Sequence, residues 1–476
     1  MTPQRIHFIS LGCPKNRVDS EVMVGVAQDQ GFVPTDEAES AEVIVINTCG
    51  FIEAAKRESI DTILEMSRLR QQGSCKKLVV TGCLSQRYGA ELAAELPEVD
   101  HFLGSSDMLK IGAVLGERAP RLWVGNPADW VIGASDPRTL STRGASAYLK
   151  IAEGCNRNCG FCVIPQIRGK QRSRAVDDIV AEATELAAQG VLELNLVSQD
   201  TVAYGRDRAD GQTLAMLLAR LGEVPGIAWL RLHYLYPEKL DPALVELLGQ
   251  HEKIVPYVDM PLQHAAPAML RRMLRGGSTN LRAVVERLRA GIPNVVLRSA
   301  FIVGHPGETE AEFAELERFI EDVQLDHVGV FQYSDEETCQ SHELDAKVDP
   351  AVAEQRAERL LGLQRGISKR KNLARVGQKL RVLVEGASEE SDLVMIGRHS
   401  GQAPEVDGLV YLSHGPVQPG TLCTATVVSA TDYDLLAEAE PGEPRPLPKS
   451  FAGDAGGSSS LAVKRRRGVV SLRTVP

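Results

Sequence analysis

Near its start the chain repeats one pattern three times. A β-branched or apolar run ends in a short turn carrying a cysteine, and a helical pattern follows. The runs are Arg5–Ser10, Val43–Asn47 and Lys77–Gly82. The turns are Leu11-Gly12-Cys13-Pro14, Asn47-Thr48-Cys49-Gly50 and Thr81-Gly82-Cys83-Leu84. Strands that alternate with helices predict a parallel sheet. The strand ends of such a sheet share one rim, where ligands bind. Cysteines with 35 and 33 residues between them are thereby brought to one place. A helix starting just after each of them lowers the thiol pKa and favours the thiolate. Three unrelated buried cysteines are the alternative, but the threefold coincidence of placement favours one three-thiolate site.

The alternation resumes after a connecting stretch. Candidate strands are Tyr148–Ala152, Glu193–Val197, Trp229–Leu232, Tyr257–Met260, Val295–Phe301 and His327–Phe331. Helical patterns separate them, as in Val176–Gln189, where Val176, Ile179, Val180 and Ala183 share a face. Six β/α units predict an incomplete (βα)6 barrel over residues 146–374, ending in the charged helix Ala351–Lys371. Short runs then follow at Lys379–Glu385, Leu393–Gly397, Gly408–Leu412 and Leu422–Ser429, linked by Gly- and Pro-rich turns. They predict a small antiparallel β-barrel over residues 375–440. Residues 1–115 form the N-terminal parallel-sheet domain, and its helix Glu53–Gln71 sets Ile60, Ile63 and Leu64 on one apolar face. Residues 116–145 connect. Residues 441–476 read as a disordered tail with a basic run, Lys464-Arg465-Arg466-Arg467. The class is α/β, and 476 residues suit about three domains at ~100–200 residues each.

Cys155, Cys159 and Cys162 stand in Gly154-Cys155-Asn156-Arg157-Asn158-Cys159-Gly160-Phe161-Cys162, just after the first barrel strand. Three thiolates on one tight loop hold three irons of a cubane cluster and leave the fourth iron open to a ligand. A zinc knuckle is the alternative, but a structural zinc takes four ligands, and this loop contains no fourth Cys or His. The first three cysteines then read as a second open cluster site.

The C-x3-C-x2-C loop, with Phe161 before its last cysteine, resembles that of the radical S-adenosylmethionine (SAM) enzymes. Two three-cysteine sites in one chain resemble the methylthiotransferases of that superfamily. The likeness spans about residues 5–440 and ends in a barrel of the TRAM type. It implies two 4Fe–4S clusters and SAM as cofactors, with Cys155, Cys159 and Cys162 as metal ligands at one and Cys13, Cys49 and Cys83 at the other. It further implies that an electron from the first cluster cleaves SAM and that the radical formed removes a hydrogen from substrate. The second cluster supplies a sulfur species that a second SAM methylates. No side chain is then a catalytic nucleophile. Phe161, Arg168, Ser198, Gln199, Gly304 and Gly307 are the candidate cofactor-binding residues. Ser198 and Gln199 follow one barrel strand, and Gly304 and Gly307 follow another in Gly304-His305-Pro306-Gly307-Glu308-Thr309, where the backbone closely approaches its ligand. The family usually has an aromatic where His305 stands. His264 reads as a hydrogen-bonded barrel histidine. The basic run Ile167–Arg174 reads either as a ligand-binding loop or as a solvated one.

The motif Ser10-Leu11-Gly12-Cys13-Pro14-Lys15-Asn16, and the run from Tyr148 through Pro165, resemble the branch acting on an aspartate β-carbon of small-subunit ribosomal protein twelve. Other branches act on tRNA adenosines. Charge bears on that choice. The formal net charge of −10 divides into −4 for residues 1–145, −5 for 146–374, −6 for 375–440 and +5 for 441–476. An RNA-binding surface neutralises phosphates with Lys and Arg. The terminal barrel, with Glu385, Glu389, Glu390, Asp392, Glu405 and Asp407, predicts a basic protein partner instead. It disfavours direct RNA contact outside the basic tail. A non-catalytic iron–sulfur protein that binds the ribosome is the rival of another class. Nine cysteines, an odd number, fit a reducing cytoplasm rather than a disulfide scaffold. No apolar run reaches the ~18 residues of a membrane span, and residues 1–17 contain no signal-peptide pattern. Cys75, Cys339 and Cys423 have no partner pattern and read as structural. The sulfur and electron donors have no signature in the sequence.

Overall fold

The computed structural model describes residues 4–116, 119–142, 144–276, 279–389, 391, 394–413, 417–440 and 461–463. The first unit is a parallel sheet in the order Val33–Pro34, Arg5–Ser10, Val43–Thr48, Lys77–Gly82, His101–Leu103 and Leu122–Trp123. Its central strands are buried along nearly their whole length because helices cover both faces. One apolar layer gathers Ile44, Ile46, Leu78, Val80 and Phe102, and the other gathers Ile6, Phe8, Val43, Val45 and Val79. Leu122–Trp123 completes this sheet from within the stretch expected only to connect. Of the tail expected to be disordered, Leu461–Val463 forms a strand parallel to Phe8–Ser10. Residues 441–460 and 464–476, with the basic run, lie outside the described residues.

The second unit is an open arc of six parallel strands in chain order: Ser146–Lys150, Glu193–Val197, Trp229–Leu232, Ile254–Asp259, Val296–Val303 and His327–Gln332. That is the partial barrel expected. Helices Val176–Ala188, Leu214–Gly222, Pro242–Gln250, Leu281–Gly291 and Glu310–Val323 pack outside it, and helix Pro350–Leu373 closes the unit.

The third unit is a closed barrel of five strands: Lys379–Ala387, Met395–His399, Val410–Ser413, Leu435–Ala439 and Leu422–Ala430. The fifth strand, Leu435–Ala439, was not expected, and it pairs in parallel with Val410–Ser413, so the barrel is not wholly antiparallel. Cys423 packs among Val382, Val384 and Val427 in its core.

One helix turns a different face inward than its apolar spacing predicts. In Glu53–Gln72 the buried residues include Ala55, Ser59, Thr62, Ile63, Met66 and Ser67, whereas Ile60 and Leu64 are exposed. Small side chains bring this helix close to the sheet, and Ser59 has a polar task there. Among the described residues no helix is long and apolar enough to cross a membrane.

Candidate active site

The three strand-end turns of the first sheet do meet. Cys13 caps helix Pro14–Asp29, and Cys83 opens helix Cys83–Glu95. Gly12 adopts φ +86°, and a Cβ there would stand 2.8 Å from Cys49 Cβ, so only glycine lets the first two turns approach. The Cys49 turn is held by Ser59, whose hydroxyl accepts from the Cys49 N–H at 3.1 Å and donates to its carbonyl at 2.9 Å. Asn16 ties the turns together by donating to Leu11 O at 3.0 Å and Thr48 O at 2.9 Å.

The three thiols lie within electrostatic reach of one another. Burial first, then Cys83 and Cys13, push the Cys49 thiol well up, and burial does the same at Cys83 against the pull of Arg168. The helix-start expectation of lowered pKa therefore fails at these two positions. Burial outweighs the dipole, and at Cys49 the helix begins only at Glu53.

The second cysteine loop starts at Gly154, whose φ of +81° and whose Cβ position 2.2 Å from Lys170 O require glycine. The Arg157 N–H donates to Cys155 Sγ at 3.4 Å, and Arg275 Nη1 stands 3.9 Å from Cys159 Sγ. Both guanidiniums stack on Tyr236, 3.7 and 4.0 Å from the ring centroid, but that of Arg157 is paired with Asp200 at 2.6 Å and Glu238 at 3.2 Å, so Arg275 is the cation turned to the thiols. Burial pushes the Cys155 thiol up to about 11, and burial with Cys159 pushes Cys162 up further. Phe161 packs half-buried against Ala266, Met269 and Met273, which anchors the loop.

Clustered thiols whose buried members resist ionisation become thiolates when a metal cation is in place. Among the described residues no three His, Cys, Asp or Glu side chains converge on a single ion. Each donor set, three thiols from one loop or one sheet rim, suits a cubane cluster that takes one thiolate per iron and leaves its fourth iron open.

A buried ionic cluster joins the two loops. Arg168, just past Cys162, reaches Asp19 at 2.7 Å and Glu153 at 3.3 Å and donates to Asn16 and, at 3.4 Å, to Cys83 Sγ. Lys150 pairs with Asp19 and, at 2.7 Å, with Glu153. The Lys150 and Arg168 cations hold the Glu153 carboxyl ionised against its burial. Gln199 Nε2 donates to Glu153 at 2.6 Å, and its Oε1 is buried without a partner. Of the basic run, Arg168 and Arg174 are buried in ion pairs, and Arg172 donates to the carbonyls of Arg168, Lys170 and Pro127. Most of that run is structural.

Ser198 Oγ pairs with Thr201 Oγ1 at 3.1 Å at the same barrel mouth. Gly304 and Gly307 adopt φ of +76° and +78°. The Gly304 turn is fixed by Glu308, which accepts from Gly304 N–H at 2.6 Å, His264 Nε2 at 3.1 Å and Arg356 at 2.7 Å. His264 Nδ1 accepts from the Ala266 N–H at 3.0 Å, so it is a hydrogen-bonded barrel histidine. His305 Nε2 meets Ser341 Oγ at 2.8 Å, and the Ser341 N–H donates to Gly160 O in the cysteine loop at 2.8 Å. Burial holds His305 down at about 4, hence neutral. Cys339 packs beside Cys83, Val163 and Ile167 between the two loops, while Cys75 is buried in the first core.

The acidic terminal barrel spends much of its charge internally. Glu385 pairs with Arg398, Glu405 with Arg17 and Asp407 with Tyr257. Glu390 and Asp392 lie outside the described residues. The sequence overlooked Asn16, Asp19, Ser59, Glu153, Arg157 and Arg275. Asn16 and Asp19 were within reach, since helical period carries them onto the face of Cys13.

The fold and the two cysteine loops define a radical SAM enzyme. Residues 149–320 match the radical SAM superfamily, residues 376–439 the TRAM domain, and residues 5–104 a family described as uncharacterized protein family UPF0004. A ribosomal protein uS12 methylthiotransferase RimO of Sorangium cellulosum is 58% identical, covering 100% of this chain and 98% of that one. A protein of the same name from Anaeromyxobacter sp. strain Fw109-5 is 48% identical, covering 97% and 100%. One from Myxococcus xanthus is 48% identical, covering 92% of each. The chain belongs to the RimO family. Its fold is also similar to that of TsrM, a radical SAM methyltransferase of Kitasatospora setae, with TM-score 0.51 and 15% identity over 70% of this chain and 72% of that one.

Proposed function

We propose that this chain is a radical SAM methylthiotransferase acting on ribosomal protein uS12, and that it places a methylthio group on an aspartate β-carbon. Membership of the RimO family supports the reaction and the target protein. The observation that carries the reading is the junction at Arg168, which ties the loop of Cys155, Cys159 and Cys162 to Cys83 of the other rim. Two sites that exchange a group must be neighbours, and this contact makes them so.

Cys155, Cys159 and Cys162 would hold one 4Fe–4S cluster, and Cys13, Cys49 and Cys83 the other. When bound, the clusters and SAM supply the one-electron and sulfur chemistry, which no protein side chain supplies. The chain binds, orients and shields. Gln199 offers its unpaired Oε1 at the barrel mouth, with Glu153 fixing its Nε2. Ser198 stands beside it, and Gly304 and Gly307 form left-handed turns after the facing strand, Gly304 making room for Ala353 of the closing helix. The Arg157 backbone N–H and the Arg275 guanidinium face the sulfurs of Cys155 and Cys159, and Phe161 fixes their loop. Arg168 is a positioning residue, because its donors are spent on Asp19, Asn16, Glu153 and Cys83. The domains follow the boundaries 1–115, 146–374 and 375–440, and the reaction belongs in the cytoplasm with the ribosome.

Recognition of uS12 as a basic partner would fall to the outward carboxylates of the terminal barrel, exposed Glu438 with Asp432 and Glu440, which make only surface pairs with Lys369 and Lys379, and no direct RNA contact is required. The test is mass spectrometry of uS12 and of tRNA from a strain lacking this gene. Loss of the uS12 mark alone is expected. Loss of a tRNA thiomethyl mark with uS12 intact would replace the proposal with the tRNA reaction.

A further inference from the structure

The Lys15 side chain is used by none of the interactions above. It follows Cys13 by two residues and is only 8% exposed. Its ammonium lies over the Tyr234 ring, 3.7 Å from the centroid. Among the described residues no carboxylate stands within ion-pair distance of it. The contrast is Lys150, also buried, which bridges Asp19 and Glu153. Glu153 lies within electrostatic reach of Lys15, but its oxygens are engaged by Lys150, Arg168 and Gln199. A buried ammonium keeps its charge at a cost unless an anion meets it. Tyr234, neutral and meeting the ammonium through its ring and its hydroxyl, compensates less than an anion does.

The position of Lys15 indicates where that anion comes from. On one side is Cys13. On the other is Tyr234, which lies past the C-terminal end of the barrel strand Trp229–Leu232 and takes φ +58°, a left-handed conformation unusual for a bulky residue. The Tyr234 backbone is held there, its N–H 3.3 Å from Asp259 and its carbonyl accepting from the Thr201 N–H at 3.2 Å. Lys15 therefore stands in the interval between the first cysteine rim and the barrel mouth. A substrate held at both sites would lie against that interval.

We infer that Lys15 is the specificity residue for the substrate, its ammonium gripping the side-chain carboxylate of the target aspartate. This rests on the proposed function above. The carboxylate carbon is bonded directly to the β-carbon that reacts, so one charge-assisted hydrogen bond positions the reacting atom. A tRNA adenosine offers no carboxylate, and the same ammonium leaves it without a partner.

The test uses reconstituted full-length protein and two peptides carrying the uS12 target loop, one with its Asp and one with Asn in its place. Binding is read by fluorescence anisotropy without oxygen. The wild type should prefer the Asp peptide by about ten- to a hundredfold, the range for a hydrogen bond to a charged group. Lys15→Met, close in shape and uncharged, should bring that ratio to about one while its iron content stays at the wild-type level. Lys15→Gln serves if Lys15→Met does not fold. An intact Asp preference in either variant overturns the inference. So does iron lost from the variant, since the ammonium would then serve the cluster. A wild type with no Asp preference overturns the uS12 aspartate reading itself, and the inference with it.

Discussion

Arg168 is the residue on which the two halves of the site depend. Replacing it with Met leaves Asp19 and Glu153 sharing Lys150 alone and strips Cys83 of its donor. Breaking a buried ion pair from one side costs about 3–5 kcal/mol. Arg168→Met should therefore lower stability by that order in urea unfolding, and iron bound by a variant lacking Cys155, Cys159 and Cys162 should fall as well. Wild-type stability would show that Lys150 alone suffices for Asp19 and Glu153. His305 gives a pH signature. Its folded pKa of about 4 lies below the ordinary 6.5, so the unfolded chain binds the proton more readily. Stability is then full above about pH 6.5 and declines as pH falls towards about 4, by about 2–3 kcal/mol from this group. His305→Phe should flatten that part of the urea-midpoint profile between pH 7 and pH 5, and an unchanged slope would contradict the assignment. At this scale the six cysteines were legible, because topology alone carries a strand-end residue to a rim. The partners of Arg168 were not, since Asp19 and Asn16 lie some 150 positions away and nothing local marks the pairing.

Elements that a single period decides were legible. The barrel strands were found as β-branched runs, with boundary shifts of a few residues where buried ends merge into loops. Helix Glu53–Gln72 was found, yet its inward face was not. The apolar spacing pointed to Ile60 and Leu64, whereas packing chose Ser59 because the Cys49 turn needs a donor and an acceptor. Ser59→Ala leaves the Cys49 N–H and carbonyl unpaired in the interior. It should cost about 1–3 kcal/mol and reduce iron at the first rim, measured by unfolding and by iron analysis. A neutral substitution would show that water replaces the hydroxyl. Strand Leu435–Ala439 was not legible because it has only five residues and the outward Leu436 breaks the apolar–polar alternation that Glu438 keeps.

Over the whole molecule, the terminal barrel is fastened to the radical SAM unit by buried charge. Arg398 and Arg231 meet on Glu193, and the two cations hold that carboxyl ionised against its burial. Arg398→Met should loosen this contact by about 3–5 kcal/mol and split one calorimetric transition into two. A single transition at the wild-type temperature would place the coupling elsewhere. The acidity that the sequence presents as a docking surface proves partly internal, since Glu385 pairs within the barrel with Arg398 while Glu405 and Asp407 face other units. Charge totals do not show which side of a domain a carboxylate faces. The central claim is that two neighbouring three-cysteine sites act together on uS12. Its most direct test is intact-mass analysis of purified uS12 after anaerobic incubation with reconstituted enzyme, SAM, sulfide and a reductant. The account predicts one methylthio group in place of one hydrogen with the wild type, and none with Cys13→Ala or Cys155→Ala. Full modification by either variant would contradict it.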